Sequence, residues 1–384
     1  MQHTFVRNDK EEQLVALAAE LANDFAGRAD TIDREGVFPF ENIEKLKQAG
    51  YTKLTVPKEY GGEGISLYKM ILCQERLAQG DASTALSIGW HVGILLDLAE
   101  KRPWQEYTFK EVCEAVVEQK ALLNSAVSEK ATGSPTRGGK PGTTAVKKGR
   151  SWVINGRKTF TTMSPVLDYF IVVATIQDTG EVAQFLVKKG ANGLQIDETW
   201  DTMAMRGTGS HDVVLQNVTV PEEHLLQVLD KTKKQDASGW LLHIPACYMG
   251  VALAAREYAV KYANSYSPNS ISGTISELPN IRSLIGTMEL EIMQARHFMY
   301  AVADRWDQQP EQRHIMHSEL GAVKHAVTNT ALSVVDKAMR IVGAQSLYQS
   351  NPLQRYYRDV RAGLHNPPMD DAVISMLAKN VLNN

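Results

Sequence analysis

The sequences LLNSAVSEKATGS (residues 122–134) and WVINGRKTFTT (residues 152–162) decide the fold of this chain. The first is an apolar run that ends in a loop of hydroxyls and small side chains. The second places Asn-Gly between two apolar arms. This pattern predicts a β-hairpin, because a type I′ turn needs positive φ at both central residues. More alternating stretches follow as far as Pro221, so this part of the chain is predicted to form a small β domain.

Helices are predicted on both sides of this β segment, because apolar side chains recur at helical spacing on one face. Asp81 is a plausible N-cap for one of them. The predicted helices cover residues 9–25, 39–48, 68–79, 83–100, 111–119, 240–265, 281–302, 312–342 and 370–382. We therefore expect a mainly α protein with a middle β domain. It would comprise an N-terminal helical domain (1–120), a β domain (121–228) and a C-terminal four-helix bundle (229–384).

Composition is that of an ordinary globular protein, with 384 residues, 43% hydrophobic and 22% charged. The net charge of −3 gives no reason to expect nucleic acid or an anionic membrane as a partner. Three cysteines lie far apart and lack metal-ligand spacing, so we expect no disulfide and no metal site. The polar N-terminus is unlike a secretory signal. We expect a cytoplasmic protein without a membrane span.

The order of several motifs resembles the acyl-CoA dehydrogenase family. Ser-Glu-x-x-x-Gly-Ser at 128–134 precedes Asn-Gly-x-Lys-x-aromatic-x-Thr at 155–162, and Met-Arg-Gly-Thr at 205–208 precedes a strand. Two further motifs, at 57–62 and 357–360, keep the same order along the chain. The resemblance implies a helix–sheet–helix fold, bound FAD, an acyl-CoA substrate, and electron-transfer flavoprotein as electron acceptor. It also implies a homotetramer or homodimer.

The same resemblance assigns roles to residues of the two central motifs. Val127 and Ser128 would contact the pyrimidine edge of the flavin. Phe160 would pack on the isoalloxazine ring, and the Thr162 hydroxyl would approach flavin N5. Ser134 would lie near the pyrophosphate or the substrate. Taken alone, Phe160 and Thr162 are ordinary strand residues, and only the ordered set of motifs gives them a function.

The residues expected around the adenine end of FAD differ from the family pattern. Gly343 and Ala344 stand where the family has a Gly-Gly pair that approaches FAD closely. The family arginine that binds the FAD pyrophosphate of a neighbouring subunit has no counterpart before Met288, and Arg282 is a candidate substitute. The adenine end is therefore expected to be held differently.

The catalytic base is the larger departure. The family removes an α-proton with a Glu shortly after the Arg-Asp motif or, in a minority, on the first bundle helix. Residues 358–371 contain no Glu, and Trp240 occupies the second position. The remaining candidates are His365, Asp370 and Asp371. For the two aspartates, the favoured interpretation is an N-cap and a first-turn acid of the last helix.

Three functions follow from these residues. The first, which is the leading interpretation, is α,β-desaturation of an acyl-CoA thioester by an FAD-dependent oxidoreductase. The second is a two-component flavin-dependent monooxygenase acting on a small aromatic or sulfur compound, supplied by a flavin reductase. It rests on the triplet His365-Asn366-Pro367, which resembles a side branch of the same family, and on the ability of histidine to act as an acid or base near neutral pH. The third is a non-catalytic member of the family.

Overall fold

The computed structural model describes residues 4–132, 139–229 and 237–382. Six helices precede an eight-stranded sheet, and five follow it, within these ranges. The first six are α1 (Asp9–Ala26), α2 (Ala29–Glu35), α3 (Phe40–Gln48), α4 (Leu67–Ala78), α5 (Ala82–Lys101) and α6 (Glu106–Glu118). The strands are β1 (Leu123–Ala126), β2 (Thr144–Lys148), β3 (Ser151–Thr161), β4 (Tyr169–Ile176), β5 (Val182–Lys188), β6 (Leu194–Asp197), β7 (His211–Pro221) and β8 (Leu225–Leu229). The last five helices are α7 (His243–Ser265), α8 (Pro279–Gln308), α9 (His317–Val342), α10 (Pro352–Ala362) and α11 (Asp370–Leu382).

The predicted class, mainly α with a middle β domain, is confirmed. The limits proposed at residues 120 and 228 remain a prediction. Asp81 caps α5 as expected, since its carboxylate accepts the N–H of Thr84 at 3.0 Å. By length and composition α5 could cross a membrane, but 83% of its apolar window is buried inside the protein. This pattern is also that of a core helix, and α5 packs between α4 and α7.

The sheet has the order β6-β7-β3-β2-β4-β5-β8, and β1 pairs with β4 in parallel. Strand β3 is central to the site described below, because it pairs with β2 on one side and with β7 on the other, both antiparallel. β1 ends at Ala126, and the backbone continues across the end of β3, where the Thr159 N–H donates to the Ser128 carbonyl at 2.8 Å. Both motifs that decide the fold therefore meet at one end of the sheet.

The predicted hairpin turn at Asn155-Gly156 is wrong. Strand β3 runs straight through both residues, and the turn lies at residues 149–150, where Gly149 has φ +60°. Glycine is needed at 156 for another reason: a Cβ there would lie 2.3 Å from Thr143 Oγ1. The pairing of β3 with β7 also shifts register between Ile154 and Gly156. Asn155-Gly156 therefore forms a β-bulge at which Thr143 approaches the backbone closely. A glycine inside a strand is also typical of such a site.

The C-terminal helices differ from the prediction mainly by one element. Helix α10 was not predicted, and it packs against α7 and α9. Helix α9 begins at His317, five residues later than expected, because residues 310–315 form a 3₁₀ turn that starts with a proline. Helix α11 has the predicted bounds and packs against α9.

The motifs at residues 205–208 and 357–360 form hydrogen bonds that connect the three parts of the chain. Arg206 donates to the Asp33 carbonyl at 2.6 Å and to the Thr202 carbonyl at 2.9 Å. Arg358 on α10 forms a bidentate pair with the Asp33 carboxylate. Its neighbour Asp359 accepts the N–H of Met205 at 2.7 Å. These motifs therefore join the N-terminal helices, the sheet and α10.

Candidate active site

An exposed aromatic stands at the end of β3. Phe160 is 65% exposed, whereas alternate residues of the strand leading to it, such as Ile154 and Lys158, are buried. Its φ of +56° lies in the left-handed region, which is uncommon for an aromatic residue. Trp200 meets the ring edge-on at 6.0 Å, so one face of Phe160 remains open. A flat aromatic ligand could stack there.

Thr162 begins a series of three buried hydroxyls beside Phe160. Its Oγ1 lies 2.9 Å from Ser210 Oγ, which lies 2.8 Å from Thr208 Oγ1. The Thr208 hydroxyl donates to the Met205 carbonyl at 3.0 Å. The Asn124 amide donates to the Thr162 carbonyl at 2.8 Å and so ties the turn to β1. Thr162 is consequently fixed in both its backbone and its side chain.

A buried ion pair holds the loop that carries Val127 and Ser128. Lys158 Nζ lies 2.6 Å from Glu129 Oε1, and the Lys158 side chain has no exposed surface. Lys158 also approaches the Val127 carbonyl at 3.4 Å. Val127 and Ser128 are half-buried and lie beside the end of β3, next to Phe160. The structure therefore brings these predicted residues together, whereas Ser134 lies outside the described residues.

Gly343 and Ala344 line a separate cavity of about 630 Å³ at the end of α9. Gly343 has φ +70° with open space above its Cα, so nothing in the described chain covers it. Arg340 and Arg358 also line this cavity. Open space beside a glycine backbone could admit an extension of a cofactor, whereas Arg358 is paired with Asp33 and Arg340 with Asp336.

The three candidate bases are placed differently from one another. His365 is exposed in the turn after α10, and the next residue, Asn366, accepts a hydrogen bond from the Tyr248 hydroxyl at 2.5 Å. Asp370 opens α11 and lies 3.3 Å from Lys324 Nζ and 2.8 Å from the Asn329 amide, both on α9. Asp371 is exposed in the first turn of α11. The contacts of Asp370 are those of a helix tether.

An aromatic cluster, which sequence reasoning missed, lies between α5 and α7. Trp240 stacks on His243 with ring centroids 5.8 Å apart, and Trp90 meets His243 edge-on at 5.0 Å. Burial lowers the pKa of His243 to about 3, so its ring is neutral. Neither ring nitrogen has a hydrogen-bond partner among the described residues. A side chain at Gly93 would strike the Trp240 ring at 2.7 Å, so the two helices close tightly here.

His91 on α5 is structural, as expected of a core histidine. Its Nδ1 accepts the N–H of Leu123 at 3.1 Å, so Nε2 carries the proton and donates to the Thr52 carbonyl at 2.9 Å. Burial lowers the pKa of His91 to about 4. The neutral ring thus joins α5 to the first strand of the sheet. In the described ranges no three His, Cys, Asp or Glu side chains come together as a metal site would require.

The residues present fit a flavin. Phe160 offers an open aromatic face, Thr162 a fixed hydroxyl, and the 127–128 loop a backbone edge beside them. These features define a flavin-binding class of helix–sheet–helix protein. Models of the N-terminal, middle and C-terminal domains of acyl-CoA dehydrogenases match residues 8–101, 124–218 and 242–366. The chain belongs to the acyl-CoA dehydrogenase family.

Relatives within this family carry out different chemistry. A Bacillus subtilis (strain 168) protein named "Putative acyl-CoA dehydrogenase YdbM" is 56% identical over 374 residues, which are 97% of this chain and 98% of that protein. Butyryl-CoA dehydrogenase from Megasphaera elsdenii has a TM-score of 0.88 at 22% identity, covering 99% of this chain and 100% of its own. FMN-bound TdsC from Paenibacillus sp. A11-2, a dibenzothiophene monooxygenase, has the same TM-score at 23% identity and 97% coverage of both chains. Membership of the family therefore supports a flavin oxidoreductase, whereas likeness of fold does not select its reaction.

Proposed function

We propose that this protein is a flavin-dependent monooxygenase that uses reduced flavin and oxygen on a small aromatic or sulfur compound. The observation that carries the proposal is the absence of a carboxylate at both positions where the family resemblance puts the proton-abstracting base. Trp240 fills one of these positions and packs against His243. The other segment, 358–371, offers no Glu but three aspartates: Asp370, which is tethered to α9, Asp359, which accepts a backbone N–H, and Asp371, which is exposed in the first turn of α11.

When bound, the flavin supplies electron transfer and oxygen activation. The chain's own residues would position it. Phe160 would stack on the ring system, the backbone at 127–128 would hold the pyrimidine edge, and the Thr162 hydroxyl would approach N5. His365 is exposed, and the residue after it, Asn366, is fixed by the Tyr248 hydroxyl, so the imidazole could serve as an acid or base.

The test begins with purified protein saturated with flavin. An anaerobic titration with a panel of acyl-CoA thioesters should leave the flavin absorbance unchanged. Reduced flavin supplied with ¹⁸O₂ and a panel of aromatic and sulfur compounds should give a product carrying one labelled oxygen. Bleaching of the flavin by any acyl-CoA, with no labelled product from the second panel, would exclude the proposal in favour of desaturation.

His365 can be tested separately. His365→Ala should bind flavin normally but lose most product formation and release hydrogen peroxide instead. His314→Ala is a suitable control, because His314 lies on a surface 3₁₀ turn and bonds only locally to the Glu311 carbonyl among its recorded contacts. Equal turnover in both variants would remove His365 from the mechanism.

Desaturation of an acyl-CoA is the second candidate, favoured by the name of the 56% identical relative and by the likeness to butyryl-CoA dehydrogenase. In that case Asp370, Asp371 or His365 would be the base, and an electron-transfer flavoprotein would accept the electrons. The proposed monooxygenase needs a flavin reductase instead. A protein that binds no flavin would support the third, non-catalytic alternative.

The cofactor form, subunit number and location also belong to this proposal. The cavity at Gly343 and Ala344 supports FAD, whereas the related TdsC holds FMN. Comparing the affinities of FAD and FMN decides between them, and equal affinity would argue against adenine binding in that cavity. A homotetramer or homodimer remains a prediction, to be measured by light scattering. A cytoplasmic location also remains a prediction.

A further inference from the structure

The three hydroxyls behind Thr162 form a chain whose hydrogen-bond direction is fixed at one end. Thr208 Oγ1 lies 3.0 Å from the Met205 carbonyl oxygen. A carbonyl oxygen has no proton to give, so in this hydrogen bond the Thr208 hydroxyl is the donor. The same oxygen also accepts the Thr208 backbone N–H and the Trp200 indole N–H, each at 3.1 Å. All three hydroxyl residues are buried, with side chains 8% (Thr162), 5% (Ser210) and 1% (Thr208) exposed. Solvent therefore does not compete for these bonds.

The donor or acceptor role of each remaining hydroxyl follows because each hydroxyl has only one proton to donate. Because Thr208 donates its proton to the carbonyl, it accepts a hydrogen bond from the Ser210 hydroxyl at 2.8 Å. Ser210 has then spent its own proton, so it accepts from Thr162 at 2.9 Å. The Thr162 proton consequently points into the protein. What Thr162 offers on its outer side is a pair of oxygen lone pairs, which can only accept a hydrogen bond.

We propose that the Thr162–Ser210–Thr208 relay presents a hydrogen-bond acceptor to flavin N5 and thereby favours the reduced form of the flavin. In oxidised flavin N5 has a lone pair and needs a donor, whereas in reduced flavin N5 carries a hydrogen and needs an acceptor. Ser210 and Thr208 are positioning residues that act through Thr162. The inference rests on the flavin binding of the proposed function, but not on the choice between oxygenation and desaturation.

If the relay acts in this way, removing the hydroxyl of Ser210 or Thr208 should let Thr162 donate a hydrogen bond to N5 instead of accepting one. In Thr208→Val, Ser210 loses its acceptor and can turn its proton towards Thr162, which frees the Thr162 proton for N5. In Ser210→Ala, Thr162 loses its inner acceptor directly, with the same result. Both variants should therefore shift the protein's preference towards oxidised flavin, although Thr162 itself is unchanged.

The measurement is the ratio of dissociation constants for oxidised and dithionite-reduced FAD, determined anaerobically with apoprotein. One hydrogen bond of average strength corresponds to about a fivefold change in this ratio. For a two-electron couple a fivefold change lowers the bound-flavin midpoint potential by about 20 mV. We expect a shift of this size in Thr208→Val and in Ser210→Ala, with no need for a substrate.

Ser164→Ala provides a matched control. Ser164 is equally buried, its hydroxyl donates to the Gly209 carbonyl at 2.9 Å, and it lies outside the relay. Its ratio should equal that of the wild type. An unchanged ratio in both relay variants, or a shift towards reduced flavin, overturns the inference alone. Absence of flavin binding by the wild type overturns the inference together with the proposed function.

Discussion

Replacing Lys158 with methionine tests the buried ion pair beneath the 127–128 loop. Lys158 Nζ lies 2.6 Å from Glu129, whose carboxylate also accepts the N–H groups of Gly142 at 2.7 Å and Thr143 at 3.0 Å. Burial by itself would raise the pKa of Glu129, but the hydrogen bonds from Lys158 and Thr143 outweigh it and hold that pKa below its ordinary value. The carboxylate is therefore ionised in the folded protein.

Methionine keeps the length and apolar contacts of the lysine stem but removes the charge. Glu129 would then be a buried carboxylate with only two backbone donors. Breaking a buried pair in this way costs about 3–5 kcal/mol, and the two surviving hydrogen bonds place the cost near the lower end, at about 3 kcal/mol. With a slope of about 3 kcal/mol per M, the midpoint of urea unfolding should fall by about 1 M at pH 7.

The pH dependence should also reverse. In the wild type the pKa of Glu129 is depressed, so its stabilising contribution is present above the unfolded pKa and is lost as the pH falls. In Lys158→Met burial would dominate and raise that pKa, so the variant should lose stability as the pH rises. The cost of the substitution should therefore be smaller at pH 5 than at pH 7.

Lys147→Met is the matched control, because Lys147 forms an exposed ion pair with Glu222 on the same sheet, with side chains 45% and 46% exposed. Such surface pairs contribute about 0–1 kcal/mol. The double variant Lys158→Met/Glu129→Gln should regain part of the lost stability, since it leaves no unpaired buried charge. Flavin affinity should be lowest in Lys158→Met, higher in the double variant, and close to that of the wild type in Lys147→Met. Equal midpoints for Lys158→Met and Lys147→Met would refute the reasoning.

Two further predictions concern buried groups outside the flavin site. Burial raises the pKa of Asp359 to about 7, so the free energy of unfolding of the wild type should fall by up to ~1.4 kcal/mol per pH unit as the pH rises from about 4 to 7. Asp359→Asn keeps an acceptor for the Met205 N–H but cannot ionise, so its urea midpoints should not show this decrease. The same decrease in the variant would contradict the assignment to Asp359. Gly89→Ala would place a Cβ 2.4 Å from His243 Nδ1 and should lower the free energy of unfolding by about 1–3 kcal/mol. The control Gly286→Ala, in open space on α8, should raise it by up to ~1 kcal/mol. Urea midpoints that move in the same direction in both variants would contradict this prediction.

The helices were predictable because their formation depends on local periodicity and capping. Helix α1 was expected at 9–25 and spans Asp9–Ala26, and α11 has the bounds expected from sequence. Helix α10 was missed although its residues 357–360 had been recognised as a motif. Its charged side chains Arg355 and Asp359 are buried, so burial and polarity do not coincide along it. Its apolar residues Leu353, Tyr356, Tyr357 and Val360 nevertheless recur at i, i+3, i+4 and i+7, so the helical pattern was present in the sequence and was overlooked.

The candidate site was only partly predictable, because its geometry depends on contacts between distant residues. Asn155-Gly156 has the composition of a hairpin turn, yet glycine is required there by Thr143, the residue just before β2. Ser210 lies 48 residues from Thr162 in the sequence, and only the pairing of β3 with β7 brings them together. No local pattern distinguishes Ser210 from an ordinary strand serine.

The arrangement of the molecule explains how one family can hold a flavin in the same way and use it differently. The residues proposed to hold the flavin ring lie on the sheet, where the Glu129–Lys158 pair and the hydroxyl relay fix them from within. The candidate acids and bases lie elsewhere, between α10 and α11 and at the start of α7. A change from Glu to Trp240, or the presence of His365, therefore alters the chemistry available without disturbing the sheet. Since the proposed flavin contacts and the candidate bases lie on different elements, we expect the side chains at these two helical positions, rather than similarity of fold, to decide the reaction.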